Sequence, residues 1–192
     1  MQKLSFSAFD FFSYAFPGVC ILSTFFLLDP KIVSAADLLG KADQIGIGGG
    51  ILLAIVGYLT GFAISPLGRW MYKRLGFSVW NHSFENVDGL SVSEKYTLIR
   101  EYTQENFKYV ETWNVLCAMS HNLAFASLVA FVVSLVRTIF YQDHGSVIGP
   151  VTIGLSFCLF WLFLHRAVVF YRWAAIDINS AVKILKLADK NH

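Results

Sequence analysis

The stretch Ile45–Ile64 reads IGIGGGILLAIVGYLTGFAI, twenty residues without a single Asp, Glu, Lys or Arg. A helix rises about 1.5 Å per residue, so this segment matches a hydrocarbon core of about 30 Å. Three further stretches are similarly apolar: Phe11–Leu28, Leu123–Phe140, which holds one charge at Arg137, and Val147–Leu164. In lipid every backbone N–H and C=O must be paired internally, which restricts spanning segments to helices or closed barrels. Four apolar runs of helical length predict an all-α membrane protein with four transmembrane helices.

Composition agrees. Hydrophobic residues make up 56% of the 192-residue chain and charged residues 15%, well under the roughly 25% of a soluble domain. The first apolar run contains Asp10 and is broken by Pro17-Gly18. No small-residue cleavage site closes it, so it is expected to be a retained span and not a signal peptide.

Charge placement gives an orientation. Lys3, the six basic residues between Arg69 and Lys108, and the five from Arg166 to Lys190 fall on one side. Only Lys31, Lys41 and Arg137 fall on the other. The excess of Lys and Arg predicts that both termini and the middle segment are cytoplasmic. The organisation expected is a transmembrane pair over 1–65, a cytoplasmic helical segment over 66–115, and a second pair over 116–192 with a helical tail. Arg69, Lys73 and Arg74, interleaved with Trp70 and Tyr72, read as inner-leaflet anchors. Pro66 and Gly68 are expected to end the second helix.

The cytoplasmic layer has its own signals. Ser91-Val92-Ser93-Glu94 is a capping box. Tyr96, Ile99, Thr103, Asn106, Val110 and Trp113 then share one helical face, with Lys95 among the polar residues elsewhere. No breaker separates this helix from the third span. After the fourth span, Ile178, Val182, Leu185 and Ala188 recur at helical spacing. This tail is expected to pack on the helix that starts at residue 92. Residues 29–44 are expected to be a short outer loop.

Small residues recur four apart in the second span: Gly46, Gly50 and Ala54, then Gly57, Gly61 and Ser65. Such spacing lets two helix backbones approach closely. Gly46, Gly50, Gly57, Gly61 and Ser65 therefore mark either packing within one chain or a subunit interface. Pro17 leaves a helical carbonyl without its donor, and Ser13 or Tyr14 could supply the missing bond. Ionisable groups near the spans are few, and such groups are functional suspects by default. His121 with Ser120 and Asn122, together with Arg166, is expected to form a polar constriction or gate near the cytoplasmic face.

Motifs for chemistry are lacking. Cys20, Cys117 and Cys158 have no metal-ligand spacing, and His82 with Glu85 lacks further ligands. Arg137 and His144 fit the loose R-x(4–6)-H spacing of HEPN-type RNA-cleaving folds, but the charge count puts them outside the cell, away from RNA. No enzyme activity, cofactor, metal or direct nucleic-acid binding is expected.

The segment Phe9-Asp10-Phe11-Phe12-Ser13-Tyr14-Ala15-Phe16-Pro17-Gly18 resembles the F-D-x-x-x-Y-x-x-P-G opening of small bacterial four-helix inner-membrane proteins. Gly57-Tyr58 followed by Gly61 is similar to the same group. Some of these are encoded in anti-phage loci, among them the small membrane accessory proteins of type VI CRISPR systems and the membrane subunit of Kiwa. The resemblance implies a multi-pass bacterial inner-membrane protein acting in defence, and it carries over no catalytic residue. The reading is an oligomeric, non-enzymatic membrane component that receives a cytoplasmic protein partner and could form a depolarising pore. The alternatives are a small ion or metabolite channel or transporter, and a scaffold recruiting a soluble protein.

Overall fold

The structure, a computed structural model, describes residues 8–80, 89–141 and 148–185. The fold is all-α, and four helices are long and apolar enough to cross a membrane. Helix α1 (Ala8–Thr24) ends in a 3-10 turn, Phe25–Leu28. Helix α2 (Ala35–Asp43) lies in the first connection. Helix α3 (Ile47–Met71) continues through a π-helical turn, Tyr72–Gly76, into the short α4 (Phe77–Val79). Helices α5 (Val92–Tyr102), α6 (Gln104–Tyr141) and α7 (Ile148–Ile184) complete the chain.

The long α6 sets the register of the bundle. At one end Trp113 Nε1 donates to Asp177 of α7 at 2.8 Å, and Ser13 Oγ of α1 donates to the Val115 carbonyl at 3.4 Å. At the far end Arg137 donates to the Leu27 carbonyl after α1, and Thr138 lies where a side chain on Gly149 of α7 would fall. The start of α1 and the end of α7 are therefore at the same end. Arg69, Lys73 and Arg74 share it, and we call it the basic end.

Packing of α1 on α3 uses glycine where backbones meet. A Cβ on Gly18 would strike the Gly57 carbonyl, and one on Gly61 would strike the Tyr14 carbonyl. Tyr14 closes the contact edge-on against Tyr58 and Phe62, with centroids at 5.8 and 5.7 Å. Helix α1 keeps its helical course through Pro17. The ring has no N–H for the Ser13 carbonyl four residues earlier. The repair comes from another helix and not, as expected, from the Ser13 or Tyr14 side chain: Asn122 Nδ2 of α6 donates to Ser13 O at 3.0 Å.

Three other expectations are corrected. Helix α3 does not stop at Pro66 and Gly68. Gly68 lies against the His121 backbone of α6, and Met71, Tyr72 and Gly76 are buried beyond it. Burial of that next turn outweighs the one donor that proline removes. The helix from residue 92 does not run straight into the third span. It breaks at Thr103 (φ −146°, ψ 77°), whose N–H and Oγ1 both donate to the Ile99 carbonyl. The break lets Leu98 and Ile99 fold back onto Val110, Ile178, Ala181 and Val182 as a second core. Lys95 is not solvated; it is buried with Nζ on Asn179 Oδ1 of α7 at 2.9 Å.

The tail of α7 does pack on α5 and the start of α6 through Ile178 and Val182, while Leu185 stays exposed and Ala188 lies outside the described residues. Helix α2 stands where the sequence suggested a loop. Its signal is a capping box in which Ser34 Oγ accepts from the Asp37 N–H and the Asp37 carboxylate accepts from the Ser34 N–H.

Candidate functional site

The expected ring of His121, Asn122 and Arg166 does not form. Asn122 is wholly buried and holds α1. Arg166 is exposed on α7. The next residue, Ala167, faces α6 and accepts from Cys117 Sγ at 3.3 Å through its carbonyl. A helix step of about 100° turns Arg166 away from that contact and out to the surface.

His121 instead belongs to a cavity of ≈ 300 Å³ at the basic end of the bundle. Its lining is Tyr14 from α1, Ser65 and Arg69 from α3, Tyr72 from the π-turn, Asn114, Cys117, Ala118 and His121 from α6, and Tyr171 from α7. The π-turn places Tyr72 flat on His121, with ring centroids 5.3 Å apart and planes 9° apart. Tyr72 also meets Tyr171 at 6.0 Å and Phe77 at 5.5 Å, so the aromatic wall is braced from two helices. Such π-turns are rare and concentrate at working sites. His121 is 5% exposed, and its Nδ1 lies against Gly68 with no hydrogen-bond partner among the described residues.

The lining is polar, and its one formal charge among the described residues is positive. Three phenols, a serine, an asparagine amide, an imidazole and the Arg69 guanidinium can all donate hydrogen bonds. The lining holds no carboxylate. Arg69 is exposed at the mouth and makes no ion pair among the described residues. Lys73 and Arg74 are exposed beyond it. Among the described residues no group of three potential metal ligands exists, and His82 and Glu85 lie outside them.

Sequence reading found His121 but missed its partners. A signal was present: Asn114, Cys117, Ala118 and His121 follow the i, i+3, i+4, i+7 rule, as do Ser65, Arg69 and Tyr72 at i, i+4, i+7. Tyr14 and Tyr171 come from distant helices and carry no local signal.

The small-residue seam divides in two. Gly57 and Gly61 are buried against α1, and Ser65 lines the cavity. Gly46 and Gly50 are exposed, with nothing within 4 Å of where a side chain would start. Arg137 is buried in a structural role: its guanidinium donates to the carbonyls of Leu27 and Asp29. His144 lies outside the described residues.

Helix topology and apolar exposure define a multi-pass α-helical membrane protein. Comparison with protein-family models, curated proteins and solved structures finds no match.

Proposed function

We propose that this chain is a non-enzymatic, oligomeric component of a bacterial inner membrane that acts in anti-phage defence. Its basic end faces the cytoplasm, where α5 and the extensions of α6 and α7 receive a protein signal. The observation that carries the oligomer is the outer half of α3. Gly46, Gly48 and Gly50 have open space around them, and Ile47, Ile51, Leu52 and Ile55 are exposed. Glycine weakens a helix by roughly 0.5–1 kcal/mol per position relative to alanine. Packing inside the chain gives no return for Gly48 and Gly50, the two that lie within the helix (Gly46 is its N-cap), whereas close approach of a second copy does. Defence as the setting is supported by the resemblance of Phe9–Gly18, the orientation by the skew of basic residues, and assembly around α3 would let a signal open a pore that depolarises the membrane.

The test is expression with its neighbouring genes in infected bacteria carrying a potential-sensitive dye. Wild type should lower the membrane potential on infection, and Gly50→Leu should abolish both that response and the larger particle in detergent. An unchanged dye signal during full protection would sink the pore.

A scaffold is the second reading. It is favoured by a shallow groove at the basic end, lined by Asn106, Tyr109, Asp177, Ser180, Ala181, Ile184 and Leu185, beside the exposed Tyr109 and Ile184. Pull-down of a soluble partner without any conductance would select it.

A further inference from the structure

We infer that the cavity at the basic end is a phosphate-binding site, taking the anionic head of a membrane phospholipid or of a small soluble phosphate ester. Three observations converge on it. Among the described residues the lining has no carboxylate and every polar group in it can donate a hydrogen bond, so with Arg69 its field favours an anion over a cation. Its one cation is Arg69, whose planar fork suits paired phosphate oxygens, and it makes no ion pair among the described residues. The wall opposite is aromatic and packed: Tyr72 lies stacked on His121, which is nine-tenths buried, and Tyr171 meets Tyr72 edge-on.

Depth fits the same ligand. Lys73 and Arg74 follow Arg69 by four and five residues and are exposed, which is where anionic headgroups concentrate. A volume of ≈ 300 Å³ holds a phosphate with a short polar substituent, at the small end of ligand pockets. Arg69 and the hydroxyls of Tyr14 and Tyr171 would take the phosphate oxygens, and Asn114 would take the substituent. The site does not depend on pore formation, because its occupancy is measured without conductance.

The experiment uses the full chain, stripped of lipid in an uncharged detergent. Thermal midpoint and retained adducts by native mass spectrometry are followed in two arms. One adds phosphatidylglycerol against phosphatidylcholine; the other adds inorganic phosphate and glycerol 3-phosphate against chloride at equal ionic strength. A response to phosphatidylglycerol alone makes the ligand a lipid head, and a response to the small phosphates makes it a soluble ester. In either arm Arg69→Gln and Tyr171→Phe should each weaken binding by about tenfold or more, one charge-assisted or hydroxyl contact being lost. Arg69 is exposed and Tyr171→Phe keeps the ring that packs on Tyr72 and Phe77, and unliganded thermal midpoints check that both fold. The paired change Lys73→Gln with Arg74→Gln should leave cavity binding within about threefold. The inference is overturned if neither arm responds, if Arg69→Gln and Tyr171→Phe bind as wild type does, or if the paired surface change weakens binding as much as Arg69→Gln.

Discussion

Asn122 Nδ2 of α6 lies 3.0 Å from the Ser13 carbonyl of α1, the acceptor that Pro17 leaves without a helical donor. The two residues are 109 apart in sequence. A buried amide replaces the missing N–H and ties the first span to the third. Removing it should expose the pairing. Asn122→Leu should destabilise the chain by about 1–3 kcal/mol, the range for a buried polar group left unpaired. In a Pro17→Ala background the substituted residue supplies the N–H itself, so the same change should cost about 1 kcal/mol less. Reversible unfolding of the four proteins in detergent measures the coupling, and additive costs would refute the link.

Glycines 57 and 61 differ from glycines 46 and 50 in what surrounds them. Gly61→Ala should prevent close packing of α1 on α3, with a loss above about 3 kcal/mol, because the Tyr14 backbone occupies the space. Gly50→Ala should raise monomer stability by about 0.5–1 kcal/mol, whereas Gly46→Ala should give no such gain, because Gly46 is the extended N-cap of α3, where alanine is the poorer residue. Thermal midpoints at a protein concentration too low for association separate the two pairs.

Arg137 holds the turn that follows α1, donating to the Leu27 and Asp29 carbonyls from within the bundle. Arg137→Met should lower stability by about 2–4 kcal/mol, and Arg137→Lys should restore little of it. One ammonium cannot span both acceptors in the geometry of a planar guanidinium. Thermal unfolding in detergent reports both values. RNA-cleaving activity should be absent from wild type and variants alike.

The start of α5 carries a pH response. Hydrogen bonds from the Ser91 hydroxyl and N–H hold the Glu94 carboxyl below its ordinary range, each contact at 2.7 Å. The folded pKa is thus the lower one. Its stabilisation is fully present above the ordinary glutamate range and is lost as pH falls through the depressed folded value. Amide resonances of Ser91–Lys95 should report fraying of α5 there, and Glu94→Ala should fray it at every pH. The Ser34–Asp37 cap of α2, with Asp37 lowered by the same two kinds of bond from Ser34, should behave likewise.

Trp113 and Asp177 latch the extensions of α6 and α7 at 2.8 Å. Trp113→Phe keeps the aromatic stack on Phe170 and Trp173 but removes the donor. It should cost about 1.5–3 kcal/mol, as for a bond to a charged acceptor. Limited proteolysis should then cut α5 faster while the spans stay protected.

Four apolar runs of helical length, three of them without a charge and the fourth with Arg137 alone, were enough to specify an all-α membrane bundle, because lipid requires every backbone group to be paired internally. The capping box at Ser91 and the helical period at Ile178 and Val182 also stood in the sequence, since local hydrogen bonds and one-sided burial leave fixed spacings. The partnership of Asn122 with Ser13, the exclusion of Arg166, the break at Thr103 and the gathering of Tyr14, Arg69, Tyr72, His121 and Tyr171 into one cavity were decided only by tertiary structure. Each depends on the rotation and depth of one helix against another, and those are set by side-chain volumes summed along whole contacts, which no local spacing records.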